Sequence, residues 1–282
     1  MRTPDVPDLC EALEVFREWQ RDDAPFQLHP GDLGWAWRFG AEQTAATTRT
    51  WWRGDELLAI GAVDPDLLRL AVAPSTRQDE ELAKQVLADV GPGGGVLTEA
   101  TAYVESPRGG LLKELLAAAG WEDDQPWTPL RRDLSEPVEE PGVRIEVTGP
   151  DRVADRVAAQ LGAWDRSTFT EDKWRAMAAG PAYADARCLV ALDDDATPVA
   201  AITVWSAGPG RPGLVEPMGV HRDHRGHGLG RAITLAGAAA LRDLGSSSAV
   251  VATPSSNVGG VATYVAAGFE RLPDVRDQRR GG

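Results

Sequence analysis

The chain has 282 residues, with 29 Lys and Arg against 43 Asp and Glu, a net charge of −14 that argues against non-specific nucleic-acid binding, which calls for a basic face. Hydrophobic residues at 43% and charged residues at 26% suit a globular protein of two modest domains or one large one. No apolar run approaches membrane-spanning length, the start Met1-Arg2-Thr3-Pro4-Asp5 carries no signal core, and Cys10 and Cys188 stand in no metal or redox spacing; the expectation is a reduced, cytoplasmic setting with no membrane partner.

In chain order, residues 47–63 read as a hairpin turning at Gly54-Asp55, followed by an apolar strand over 67–74. Residues 79–90 read as a helix with Leu82, Val86, Leu87 and Val90 on one face. A further strand and helix lead to Gly120-Trp121. The stretch 135–142, acidic and proline-containing, reads as a linker. Beyond it the same order returns. Thr170 caps a short helix with Glu171 and Asp172 in its first turn, and a hairpin spans 188–205 with its turn at 193–197. An apolar strand covers 214–220, and a helix covers 229–244 before Gly245. A strand over 249–253 ends at Pro254, and a helix capped by Ser255, Ser256 or Asn257 closes at Gly268-Phe269. The chain therefore reads as two copies of one unit, 1–134 and 143–282, joined by 135–142.

Between the second strand and its helix lies His224-Arg225-Gly226-His227-Gly228-Leu229-Gly230-Arg231. Three glycines there let backbone amides point inward, at a helix start whose first amides lack internal partners and carry partial positive charge. This is an anion cradle. No Lys-Ser/Thr pair follows the glycines, which excludes a nucleotide P-loop, and the glycine spacing does not fit a dinucleotide fingerprint. The corresponding loop of the first copy, Ala73-Pro74-Ser75-Thr76-Arg77-Gln78-Asp79-Glu80-Glu81, has no glycine and sets three carboxylates where an anion would sit. His221, His224 and His227 lie close in sequence, but across a glycine-rich turn with no fourth ligand; no metal is expected.

The run Arg225-Gly226-His227-Gly228-Leu229-Gly230 resembles the Arg/Gln-x-x-Gly-x-Gly/Ala pyrophosphate loop of the GCN5-related N-acetyltransferases (GNAT). Asn257, Tyr264, Gly268 and Phe269 stand downstream at the spacing of that family. The resemblance implies an α/β (α+β) fold of the GNAT type, here two tandem copies, each a mixed, mostly antiparallel twisted sheet flanked by helices. It implies acetyl-CoA as co-substrate, held by Arg225, Gly226, His227, Gly228, Leu229, Gly230 and Arg231. The strand Met218, Gly219 and Val220 would pair with the pantetheine arm and polarise the thioester carbonyl.

By the same resemblance, Tyr264 is the general acid for the departing thiolate; an ordinary phenol stays protonated at neutral pH. Glu216, the carboxylate on the strand entering the loop, is the candidate general base, unless Pro217 turns it toward a neighbouring backbone. Asn257 either contacts the coenzyme or serves only as a helix cap. Trp164, Phe169 and Trp174 could line an acceptor pocket, with at least one expected in the core. The expected activity is direct acetyl transfer to a small-molecule amine in the second copy, the first completing the fold and walling the acceptor site. A non-catalytic acyl-CoA sensor would keep the loop without the chemistry, and the retained Tyr264 weighs against it. The sequence leaves the oligomeric state open.

Overall fold

The computed structural model describes residues 1–281. The first half opens with three helices, α1 (Val6–Arg17), α2 (Pro30–Ala36) and α3 (Ala41–Ala46). Strands β1 (Thr48–Arg53), β2 (Glu56–Val63) and β3 (Leu67–Val72) follow, then α4 (Glu80–Val90), β4 (Ala102–Glu105), α5 (Leu111–Ala118) and β5 (Glu122–Asp133). The second half runs β6 (Arg144–Val147), α6 (Val153–Ala163), α7 (Glu171–Ala178), β7 (Ala186–Leu192), β8 (Pro198–Ser206) and β9 (Gly213–Val220). It ends with α8 (Leu229–Asp243), β10 (Ser248–Pro254), α9 (Val258–Ala266), β11 (Glu270–Arg271) and β12 (Val275–Arg280).

Both hairpins, both crossover helices and the strand–helix pair before each terminal Gly-aromatic lie where the residue patterns place them. The pairing is antiparallel except at β3–β4 and β9–β10, the two strand pairs bridged by α4 and α8. The helices are held by their periodic apolar faces. In α4, Leu82, Ala83, Val86 and Val90 are buried, while α8 buries Ile233, Leu235, Ala236, Ala238 and Leu241.

Two features carry no signal in the pattern of elements. The first is that both halves share one sheet, in the order β1-β2-β3-β4-β12-β5-β10-β9-β8-β7-β6, with β11 beside β5. The last strand of each half leaves its own sequence neighbours: β5 pairs with β10, and β12 lies between β4 and β5. As a result Leu130 and Leu134 of the first half are buried in the core of the second, against residues such as Val251 and Phe269.

The second is the helical amino terminus. Asp5 caps α1 by accepting from the Asp8 amide at 2.8 Å, and Leu9, Ala12, Leu13 and Phe16 pack inward. Helix α2 contains Pro30, Gly31 and Gly34, which read as breakers, yet a capping box joins His29 and Asp32 at its start. Its glycines are there for closeness: a Cβ on Gly31 or Gly34 would meet the Trp205 side chain at 2.5 or 2.4 Å. Helix α2 thus seats the first half directly on β8 of the second.

Candidate active site

The loop after β9 presents a set of backbone donors. Gly226 and Gly228 adopt φ of +83° and +80°, where an L side chain is strained, and Gly228 is the amino-terminal cap of α8. A Cβ at either would meet no protein atom within 4 Å, so their open sides face space rather than packing. Among the described residues, no backbone amide from Arg225 to Arg231 donates to a protein group. Unpartnered amides converging at a helix start, with the dipole behind them, match a multiply charged phosphate.

The two arginines hold this loop in place. Arg225 donates from Nη2 to the Ala163 carbonyl of α6 at 2.8 Å and from Nε to the Val220 carbonyl at 3.4 Å. Arg231 donates from Nε to the Ala266 carbonyl at 2.8 Å, joining α8 to the end of α9. Their charge lies beside the cradle, while their hydrogen bonds serve the scaffold.

Strand β9 provides the second element. It pairs with β8 along its length but with β10 only at Gly213 and Leu214. Beyond Leu214 the two strands splay. The His221 amide donates to Val199 on the β8 side at 2.8 Å. Alternation then turns the amides of Val220 and Met218 away from β8, into the open gap. Gly219 lets Trp164 approach the strand closely, since a Cβ there would stand 2.4 Å from the indole.

Glu216 occupies the strand where its register against β8 shifts. Its carbonyl accepts from Trp205 Nε1 at 2.6 Å, so the residue that α2 packs upon also fixes the backbone of Glu216. Pro217 does not divert the side chain, which lines the cleft. Burial pushes the Glu216 carboxyl up to about 7, with Asp32 adding to the rise and Arg69 and Arg38 opposing it. Tyr264 is 6% exposed, packs on Phe269 at 5.6 Å between ring centroids, and lines the same cleft. Burial, and then the charge of Glu216, drive its phenol above the ordinary range, so it holds its proton at neutral pH.

These groups surround one cleft of about 1260 Å³. Glu216, Met218, Gly219, Val220, Arg225, Gly226, Gly228, Leu229, Gly230, Arg231, Asn257 and Tyr264 all line it. His227 is the expected site residue outside that lining; its Nδ1 sits 3.3 Å from the His224 carbonyl and the ring is exposed. Asn257 uses both ends of its amide locally, accepting from the Gly260 amide and donating to Thr253 Oγ1. Of the three aromatic candidates, Trp164 and Phe169 reach the cleft, while Trp174 is core, edge-on to Tyr183 at 6.0 Å. His221 packs over Gly162 of α6. Among the described residues no three His, Cys, Asp or Glu side chains are grouped to hold a metal ion.

A wall from the first half was expected, but sequence reasoning did not name its residues: Trp35, Arg38 and Phe39 line the cleft. The available signal was the dense run Trp35-Ala36-Trp37-Arg38-Phe39, aromatic and basic in an acidic chain. Behind that wall, Arg69 bridges Asp32 at 2.8 Å and Glu105 at 3.0 Å.

The cleft therefore joins an anion cradle, a splayed strand, a carboxylate and a protonated phenol. Residues 153–269 match the Acetyltransferase (GNAT) family. A mycothiol acetyltransferase of Thermobispora bispora is 29% identical over 238 residues, 77% of this chain and 78% of that one. Among solved structures, a tandem GNAT protein from the clavulanic acid biosynthesis pathway superposes with a TM-score of 0.62. Its sequence identity is 18%, over 98% of this chain and 96% of that one. A GNAT-family acetyltransferase from Colwellia psychrerythraea gives 0.58 at 14% identity, over 98% and 97%. Residues 153–269 thus match the GNAT acetyltransferase family, and the chain as a whole shares the fold of tandem GNAT proteins.

Proposed function

We propose that residues 143–282 form the catalytic unit and transfer the acetyl group directly to the amine of a small molecule held between the two halves. In this reading residues 1–134 are a degenerate copy, 135–142 the join. The pyrophosphate rests on the amides from Arg225 to Arg231, and the amides of Met218 and Val220 meet the pantetheine arm and the thioester carbonyl. Glu216 takes the proton from the amine as its nitrogen attacks, and Tyr264 protonates the thiolate as the carbon–sulfur bond breaks. Cys188 is buried and does not line the cleft, and Cys10 lies on α1, so neither offers a covalent route.

The observation that carries the reading is the presence of Glu216 and Tyr264 on the walls of the cleft that contains the unpartnered amides. The test is steady-state thiol release from acetyl-CoA across a panel of amines, for the wild type, Tyr264→Phe and Gly228→Glu. Amine-dependent release that falls in both variants is expected. Acetyl-CoA binding without turnover on any amine, indifferent to Tyr264→Phe, would make the protein a sensor instead.

A further inference from the structure

The acyl-transfer reading leaves open what else the acceptor carries, and the charge of the cleft speaks to it. In a chain with 14 more carboxylates than cations, the cleft is lined by one carboxylate, Glu216, and by five cations. Arg225 and Arg231 belong to the phosphate loop. The other three come from both halves: Arg38 and Lys173 stand on either side of Phe39, and Arg166, on the segment between α6 and α7, lines the same cleft.

None of these three forms an ion pair among the described residues. Arg38 donates to the Trp35 carbonyl at 2.6 Å and lies 4.1 and 4.2 Å from the Trp35 and Phe39 ring centroids. Lys173 spends its ammonium on Thr168 at 2.8 and 2.9 Å and stands 5.2 Å from the Phe39 centroid. Arg166 is exposed and makes no hydrogen bond among the described residues. The neighbouring Asp165 is taken by Arg222 at 2.8 Å. Phe39, 52% exposed, is the apolar strip between Arg38 and Lys173.

An independent feature lies beneath the cleft floor. Arg156 is 0% exposed, yet its partners are neutral: Gln160 Oε1 at 2.7 Å, Cys188 Sγ at 3.1 Å and the face of Phe169 at 5.0 Å. Gln160 and Phe169 both line the cleft. A buried guanidinium without a counter-ion is costly, and an anion bound above Phe169 offsets that cost.

Resting on the acyl-transfer reading, we propose that the acceptor is an amine that also carries an oxyanion, a carboxylate or a phosphate. Arg38, Arg166 and Lys173 take the oxyanion, with Phe39 and Trp35 against the intervening apolar part, while the amine end is directed to Glu216. Arginine suits this role because its planar fork matches either oxyanion bidentately.

The test separates recognition from catalysis. Binding of 3-phenylpropionate, phenyl phosphate and the neutral 3-phenylpropionamide is measured by calorimetry with the protein saturated in coenzyme A, so that the phosphate loop is filled. Both or one of the anions should bind about tenfold or more tighter than the amide, as one charge-assisted hydrogen bond allows. Which anion binds tighter identifies the oxyanion. The ratio of anion to amide affinity should drop about tenfold in Arg166→Gln, an exposed position where folding is not at stake, and likewise in Arg38→Gln. Anions binding no tighter than the amide, or a ratio unchanged in both variants, would overturn the inference. Anion preference together with failure to acetylate any amine would instead count against the acyl-transfer reading.

Discussion

The starts of α4 and α8 occupy equivalent places in the two halves, each at the crossover between parallel strands, and they hold opposite contents. At α8 the cap is Gly228 and the amides around it are free. At α4 the cap is Asp79, whose carboxylate accepts from the Leu82 amide at 2.9 Å and is gripped by Arg53 at 2.8 and 3.1 Å. At the equivalent place the first half sets its own carboxylate against the helix start. The space beside α4 is about 20 Å³, room for roughly one water, against about 1260 Å³ at α8. Leu116, fully buried, stands where the second half has Tyr264. The same backbone plan thus supplies a helix dipole twice, and a few side chains decide whether it receives a ligand or a carboxylate from its own chain.

The most severe way to test that contrast is to write the first half's chemistry into the second. Gly228→Glu sets a carboxylate at the α8 start and forces a side chain into a φ of +80°. Acetyl-CoA binding should become undetectable by calorimetry, and a circular dichroism spectrum like that of the wild type should show the fold retained, since a Cβ there meets nothing. Binding within about tenfold of wild type would mean that the amide cradle is not the anchor.

Next in size are the two groups the first half lacks. Glu216→Gln should lower the rate of acetyl transfer by about 10²–10⁴. A base must be deprotonated to act, so wild-type activity should rise with pH through about 7, and the variant should lose that inflection. Its stability should move the other way. The folded state raises the carboxyl, so it holds the proton more tightly than the unfolded chain and loses stability as pH climbs from the ordinary carboxylate range through about 7. Glu216→Gln should therefore melt higher than wild type at pH 8 and close to it at pH 4. Tyr264→Phe should cost about 10² in kcat with little change in KM, because its proton is needed only as the thiolate leaves.

A structural link between the halves comes next. Gly34→Ala places a methyl 2.4 Å from Trp205, whose indole holds the Glu216 carbonyl. Overpacking there should cost about 1–3 kcal/mol in stability. Urea denaturation reads it, and a variant as stable as wild type would mean that α2 can shift on β8.

Much of this was legible in the chain. Glycine and proline punctuation placed both hairpins, and the spacing from Gly228 to Tyr264 and Phe269 placed the loop, the strand and the last helix. These are local signals, each carried by residues adjacent along the chain. The crossing of β5 and β12 was not legible, because a strand pattern states which faces are buried but not which neighbour covers its edge. Nor were Arg38 and Arg69, which reach the surroundings of Glu216 only because the turn after α2 and strand β3 fold against the other half. The role of glycines 31 and 34 was not legible for a related reason: it lies in contact with Trp205, some 170 positions away.

The smallest predicted effect tests the first half alone. Asp79→Ala removes a cap and should cost about 1 kcal/mol at neutral pH, read as a lower denaturation midpoint with acetyl transfer unchanged. The pH dependence follows from the sign of the shift. Hydrogen bonds from Arg53 and the Leu82 amide hold the Asp79 carboxyl down at about 2. Its contribution is complete above the ordinary Asp range and is lost as pH falls through about 2, so the gap between variant and wild type should close in acid. The variant should still bind one acetyl-CoA and not two. Clearing the carboxylate leaves Ala73, Ser75, Thr76 and Arg77 in place of glycines, with Thr76 already donating to the Leu58 and Ala73 carbonyls. Emptying the anion position does not rebuild the cradle, which needs backbone amides turned outward and nothing in front of them. A second equivalent of acetyl-CoA binding to Asp79→Ala would show that the side chain alone separates the two halves.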